Sequence, residues 1–403
     1  MTLIPFSVQK YSPLGDPFVP EAALTQATTS TLDWLAPSLT PGLEPTKARR
    51  LVEHFGSPEA VFRASLPGLE AAVIQAVSAQ IATGKSAELG REELARAADG
   101  GINVLSASDP LYPRRLKEIY DPPIILYVRG DAEQLNKPGI AMLGTRHPTA
   151  YGSGMAERLA CDLAAQGLVI ISGMARGFDT ASHRGAISAK GKTVAVSGTG
   201  VDVIYPKENS RLSEQILLFC GALVSEFPLG KFAAPQNFPI RNRILSGMSI
   251  GVLVVEAAEY SGTRISARLA LEQNRDVFAV PGNVTNNNSW GANTLIKQGV
   301  KLVATWEDVW EDLPTEVRLA LTPPPTPESS SAPSASLFPD DGLPPHERRI
   351  LSLLKADEAT HIDEVVEKLE SELSSSEIFA ALFELELNEK YAKCRGKNFV
   401  KSF

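Results

Sequence analysis

The chain has 403 residues, 43% hydrophobic and 21% charged, enough for two or three domains with full cores. A formal net charge of −8 excludes a basic coat over the whole surface, so any nucleic-acid contact must be a local patch. Cys161, Cys220 and Cys394 are scattered and unpaired in sequence, which excludes a disulfide framework or a clustered zinc site.

Residues 1–28 mix Pro, Ser and Thr without periodicity and read as a loose leader. They lack the basic head and apolar run of a signal peptide, and no stretch of the chain reaches the ~20 apolar residues of a membrane span. A cytoplasmic protein without a membrane partner is expected. Residues 29–100 turn helical: Gly42 and Pro45 punctuate a turn, and Ala48, Leu51, Val52 and Phe55 then share one helical face. Short helices with Gly-containing turns predict a SAM-like or helix-hairpin-helix domain. Such a module either holds a phosphate or serves only for packing and dimerisation.

Residues 101–315 change texture. GIAML (139–143), LVIIS (168–172), TVAVS (193–197), ALVSE (222–226), GVLVVEA (251–257) and DVFAV (276–280) are near-continuous apolar runs. Such runs fit strands buried on both faces, and amphipathic helical stretches lie between them. The pattern predicts an α/β domain with a Rossmann-like, doubly wound, mostly parallel sheet.

Polar motifs sit at the ends of these strands. GTRHPTAYG (144–152) follows the first run and precedes a helix, the usual place for an anion cradle. Gly144 permits close backbone approach, Thr145 offers a hydroxyl and Arg146 a charged donor. SGMARGFDTASHRGA (172–186) repeats the arrangement with Ser172, Gly173, Arg176 and Gly177. Asp179 is placed to cap the next helix or hold Arg176, and His183 reads as a structural hydrogen-bonding residue because no nucleophile accompanies it. GTGVDVIYPKEN (198–209) has an incomplete dinucleotide fingerprint, with Lys207 and Asn209 extending a polar track.

FPIRNRILSG (238–247) is the densest of these motifs: Phe238, either a stacking platform, as its polar neighbours and the following proline favour, or a core residue, then Arg241, Asn242 and Arg243. The two arginines project together only if the segment is extended. If it is helical they diverge, and one is then free to pair with Glu256. Glu256 itself lies at a strand end, as pocket support, with Ser261 and Gly262 opening the next helix.

Residues 322–345 hold eight prolines and five serines in 24 residues, the composition of a flexible tether. Residues 346–403 read as three helices and a hairpin, a winged-helix-like domain. Glu377, Glu384 and Glu386 make its helices acidic, which favours a protein contact or regulatory role over DNA reading.

Together the six motif segments from 144 to 299, including VPGNVTNNNSWGANTLIKQG (280–299), resemble the DNA-processing protein A family (DprA, also called Smf) in order and spacing. The resemblance implies a single-stranded DNA-binding protein of natural transformation, which protects incoming strands and helps load the RecA recombinase. It also implies a homodimer built through the Rossmann-like domain, and a family DNA-pocket lysine at Lys207. A second family lysine has no match, since Pro235 and Gln236 occupy that stretch and Lys231 is the nearest cation. Thr263 and Val300 replace a usual serine and alanine. No Walker A, GxSxG or HExxH motif occurs, so no catalytic residue, metal or cofactor is expected. The alternative is a phosphoribohydrolase-like enzyme acting on a nucleoside monophosphate with Glu256 in catalysis, although the PGGxGTxxE element of such enzymes is missing.

Overall fold

The computed structural model describes residues 31–43, 45–72, 75–259 and 261–321, and parts of the C-terminal segment that include 360–369, 391–394 and 398–401. The expected leader, almost all of the Pro/Ser tether, and Glu377, Glu384 and Glu386 lie outside the described residues.

The six apolar runs are strands: β3 (Gly139–Leu143), β4 (Val169–Ser172), β5 (Thr193–Val196), β6 (Ala222–Ser225), β7 (Gly251–Val254) and β8 (Asp276–Ala279). All but Asp276 at the start of β8 are buried, which is why these runs lack polar alternation. With β1 (Ile102–Ser106), β2 (Ile125–Gly130) and β9 (Lys301–Leu302) they form one nine-stranded sheet of order β1-β2-β6-β5-β4-β3-β7-β8-β9. The run β6-β5-β4-β3-β7-β8-β9 is parallel, whereas β1 and β2 add an antiparallel arm beyond β6.

Strand β3 is flanked by β4 on one side and by β7 on the other. The chain therefore winds outward from β3 in one direction, then restarts beside it in the other. That reversal leaves a crevice at the carboxyl ends of β3 and β7, where ligands of open α/β sheets bind.

Helices cover both faces. Helices α8 (Ala150–Ala165) and α9 (Phe178–Ser188) bury Leu159, Leu163 and Phe178 against Ile140, Met142 and Ile170 on one face. On the other, α11 (Asn237–Met248) and α12 (Gly262–Glu272) bury Leu245, Met248, Ala267 and Ala270 against Val252, Val254 and Val277. Each large aliphatic side chain buried this way contributes about 1.5–3 kcal/mol of transfer free energy.

The N-terminal helices, from 31–38 through α6 (Lys85–Asp99), form a compact group around Leu35, Leu51, Val61, Leu69 and Val77. Their apolar core runs without interruption into Ile125, Tyr127, Ala195 and Leu223 of the sheet. The helical group is therefore fused to the sheet rather than tethered to it. In the C-terminal segment, β11 (Tyr391–Cys394) and β12 (Asn398–Lys401) form the expected hairpin, and β10 (Thr360–His361) adds to β12. Ile362, Val365 and Leu369 of the helix Ile362–Leu369 share a small core with Ile350, Ile378 and Leu385.

Candidate nucleic-acid interface

The crevice at the switch point encloses about 580 Å3 and is walled by segments far apart in sequence. Gly144, Thr145 and Arg146 come from the turn after β3, Ala175 from the turn after β4, Asp179 from the first turn of α9, and Tyr205 from the loop after β5. Ala233, Pro235, Phe238, Arg241 and Asn242 come from α11 and the loop before it, and Ser261, Gly262 and Thr263 from the start of α12.

The first turn follows directly from its sequence. Thr149 caps α8 by accepting the Gly152 amide at 3.1 Å, so the preceding residues 144–148 make the bend. Gly144 packs against Phe178, whose ring would collide with any side chain there. Arg146 is exposed and lays its guanidinium over the Phe238 ring, 5.1 Å from the centroid. Phe238 is half-buried, backs onto Gly198, and has the Tyr205 ring 5.8 Å away. Cation and rings are thus stacked at the mouth of the crevice, and Tyr205 is 47% exposed beside them. Tyr205 was not among the expected contacts; an aromatic just before Pro206 in a glycine loop was its only sequence signal.

Arg241 lies deeper, with the residue only 5% exposed, and donates to the Val196 carbonyl at 2.8 Å. Its guanidinium occupies the space a side chain at Gly173 would fill, next to the Asp179 carboxylate. Burial pushes the Asp179 carboxyl up, and Arg241 pulls it back toward ionisation. Arg241 Nε and Ser261 Oγ have no hydrogen-bond partner among the described residues, and both belong to crevice-lining side chains. Asp179 also accepts the Ala175 amide at 3.0 Å, which fixes the turn after Met174, a residue held at φ +82°.

Several expected contacts have other duties. Segment 237–248 is helical, so Arg241 and Arg243 point about 160° apart around its axis. Arg243 leaves the crevice and is clamped by Glu226 at 2.6 and 3.0 Å and by Asp121 at 2.9 Å; its partner is not Glu256. Burial works against its charge, but the two carboxylates outweigh this and raise its pKa. Ser172 is buried and donates to the Met142 carbonyl. Asn209 is also buried, and its amide donates to the Met174 carbonyl at 2.9 Å and to Thr180, so it braces the strained turn instead of facing a ligand. Arg176 is exposed but paired with Glu208 at 2.5 Å, not with Asp179. Lys207 is exposed on the same loop as Tyr205, outside the crevice lining. Gly173 serves by having no side chain, whereas Gly262 is exposed with open space beside it.

Glu256 is 1% exposed and accepts from both the amide and the hydroxyl of Thr149, at 2.9 and 2.6 Å. Both carboxylate oxygens thus serve the entrance of α8, which leaves none aimed at a glycosidic bond. His183 is fully buried with Nδ1 2.7 Å from the Thr193 hydroxyl, a structural placement.

A switch-point crevice lined by strand-end loops, hydroxyl side chains, a buried arginine and a stacked Arg–Phe pair defines a Rossmann-type α/β protein. The family model described as DNA recombination-mediator protein A matches residues 103–314, and the DprA winged helix domain matches residues 322–397. The chain belongs to this DprA/Smf family of DNA-processing proteins. It is 44% identical over 222 residues to the DNA processing protein DprA of Bacillus subtilis, covering 55% of this chain and 74% of that one. It is likewise 44% identical over 212 residues to the protein Smf of Escherichia coli, covering 52% of this chain and 56% of that one. The X-ray structure of DprA from Streptococcus pneumoniae superimposes with a TM-score of 0.61 at 33% identity, over 70% of this chain and 96% of the other. Among the described residues no helix is long and apolar enough to cross a membrane.

Proposed function

We propose that this protein binds single-stranded DNA in the switch-point crevice and acts without catalytic turnover, metal or cofactor. The observation that carries the reading is the Arg146–Phe238 stack at the mouth, with the buried Arg241 behind it. An unpaired base can slide onto or replace the stacked guanidinium, while a neighbouring phosphate meets Arg241, Ser261 and the open start of α12. A duplex has no splayed base to offer, so the site favours single strands. Sequence preference is weak, because every base has a face to stack and the remaining donors address the backbone.

Membership of the DprA/Smf family supports the wider role. The protein is a cytoplasmic recombination mediator of natural transformation that protects incoming strands and helps load the RecA recombinase. One short crevice grips few nucleotides, so a homodimer supplies the second grip through avidity.

The test is a titration of the full chain with single- and double-stranded oligonucleotides at two salt concentrations, with mass by light scattering and nucleotide hydrolysis followed in parallel. Single strands are expected to bind more tightly, on a dimer, without hydrolysis. Arg146→Ala is expected to weaken single-strand binding roughly tenfold and to flatten the salt dependence by about one phosphate contact. Unchanged affinity in that variant would remove the crevice from the binding site.

A further inference from the structure

The loop that enters α11 carries a feature outside the crevice proper. Residues Leu229 to Phe232 are tied down one after another through their backbones. The Leu229 amide donates to Glu93 of α6 at 2.7 Å, and the Gly230 amide to Asp202 at 2.9 Å. The Lys231 carbonyl accepts the Gly200 amide at 2.9 Å, and the Phe232 carbonyl accepts from Asn237 at 3.4 Å. Gly230 takes φ +77° to make the bend possible.

Backbone anchoring at four successive residues fixes where the loop runs, and on it Phe232 is 69% exposed. The Lys231 ammonium sits 5.8 Å from the Phe232 ring centroid. One and three residues beyond Phe232, Ala233 and Pro235 already line the crevice. The loop thus continues the crevice wall outward and ends it in an aromatic ring with a cation at its side. That repeats, further out along the rim, the Arg146–Phe238 arrangement at the mouth.

We propose that Lys231 and Phe232 form a second single-strand subsite, where a base stacks on Phe232 and a phosphate meets Lys231 as the strand leaves the crevice. This rests on the crevice being the DNA site. Glu93 is the positioning residue for the rim: its buried carboxylate fixes Leu229 from the helical group, with Arg96 completing its partners at 3.0 Å. The helical group thereby sets the position of a DNA contact.

Binding of the full chain to oligothymidylates of about 4 and about 12 nucleotides tests this, the shorter filling the crevice alone. Phe232→Ala and Lys231→Ala are expected to lower affinity for the longer strand about five- to tenfold and to leave the shorter within about twofold. Lys231→Ala also lowers the salt slope on the longer strand by about 0.7. Glu93→Ala repeats the length-dependent loss, and Glu93→Gln restores binding because its amide oxygen still accepts the Leu229 N–H. Wild-type affinity on both lengths for Phe232→Ala and Lys231→Ala, or equal loss on both, overturns the rim subsite. Arg146→Ala as a companion separates the two failures. If it still weakens binding, the rim alone is wrong; if it does not, the crevice reading has failed as well.

Discussion

At the scale of single residues, most of the buried polar groups near the crevice hold loops in place and leave the ligand to a few neighbours. His183 is the clearest case. Burial, and then the nearby Arg241 charge, lower its pKa from 6.5 to about 3, so the folded protein keeps it neutral. Between those two values the unfolded chain binds a proton that the folded chain does not. Stability contributed by the neutral ring is therefore full above pH 6.5 and falls as the pH drops, by up to about 1.4 kcal/mol per unit. Urea unfolding at pH 7 and pH 4.5 should show a steeper acid loss in the native chain than in His183→Gln. Parallel losses would mean that another group controls the acid limb.

At the scale of elements, α11 shows what sequence does and does not reveal. The clustering of Phe238, Arg241, Asn242 and Arg243 was plain in the sequence, and so was its place at a strand-end crevice. The direction of each arginine was not, because that depends on whether the segment is helix or extended chain, and the short motif fits either. Glu226 and Asp121, which claim Arg243, lie 17 and 122 residues away, beyond any local pattern. The same limit hid the bracing role of Asn209, whose partner carbonyl at Met174 is set by tertiary packing. By contrast the six parallel strands were legible, because strands buried on both faces leave an unbroken apolar run. Strand β2 carries a similar apolar run at Ile124–Val128, but nothing in that run reveals that it pairs antiparallel with β1 and β6. Arg243→Ala strands the Glu226 carboxylate, only 6% exposed, without its counter-charge. It is expected to cost about 3 kcal/mol in chemical unfolding, with little change in single-strand affinity for the molecules that remain folded. A loss of affinity with full stability would instead make Arg243 a ligand contact.

At the scale of the whole molecule, the shared core between the helical group and the sheet bears on how the chain divides. Ile125, Tyr127, Ala195 and Leu223 are buried against that group, so a chain beginning at residue 101 would expose a contiguous apolar face. Such a fragment is expected to be poorly soluble and to bind a hydrophobic dye strongly; a monomeric, dye-silent fragment would show that the helical group is dispensable to the sheet. The C-terminal segment behaves differently in this respect, since Ile362, Val365 and Leu385 belong to a core of their own. Charge also acts at this scale. With −8 overall, long-range attraction for any polyanion is weak, so the proposed DNA contact at the Arg146 crevice would act at close range.

The strand order has a further consequence, for synthesis on the ribosome. Strand β3 receives β4 soon after it emerges, but its other edge is completed by β7, which begins at Gly251, more than a hundred residues later. At ordinary translation speeds that edge, the apolar run Gly139–Leu143, waits roughly 5–20 s for its partner. During that interval the centre of the future sheet is an open β-edge, the kind of surface that pairs with other chains. The switch that creates the crevice thus also leaves a nascent β-edge open until β7 docks.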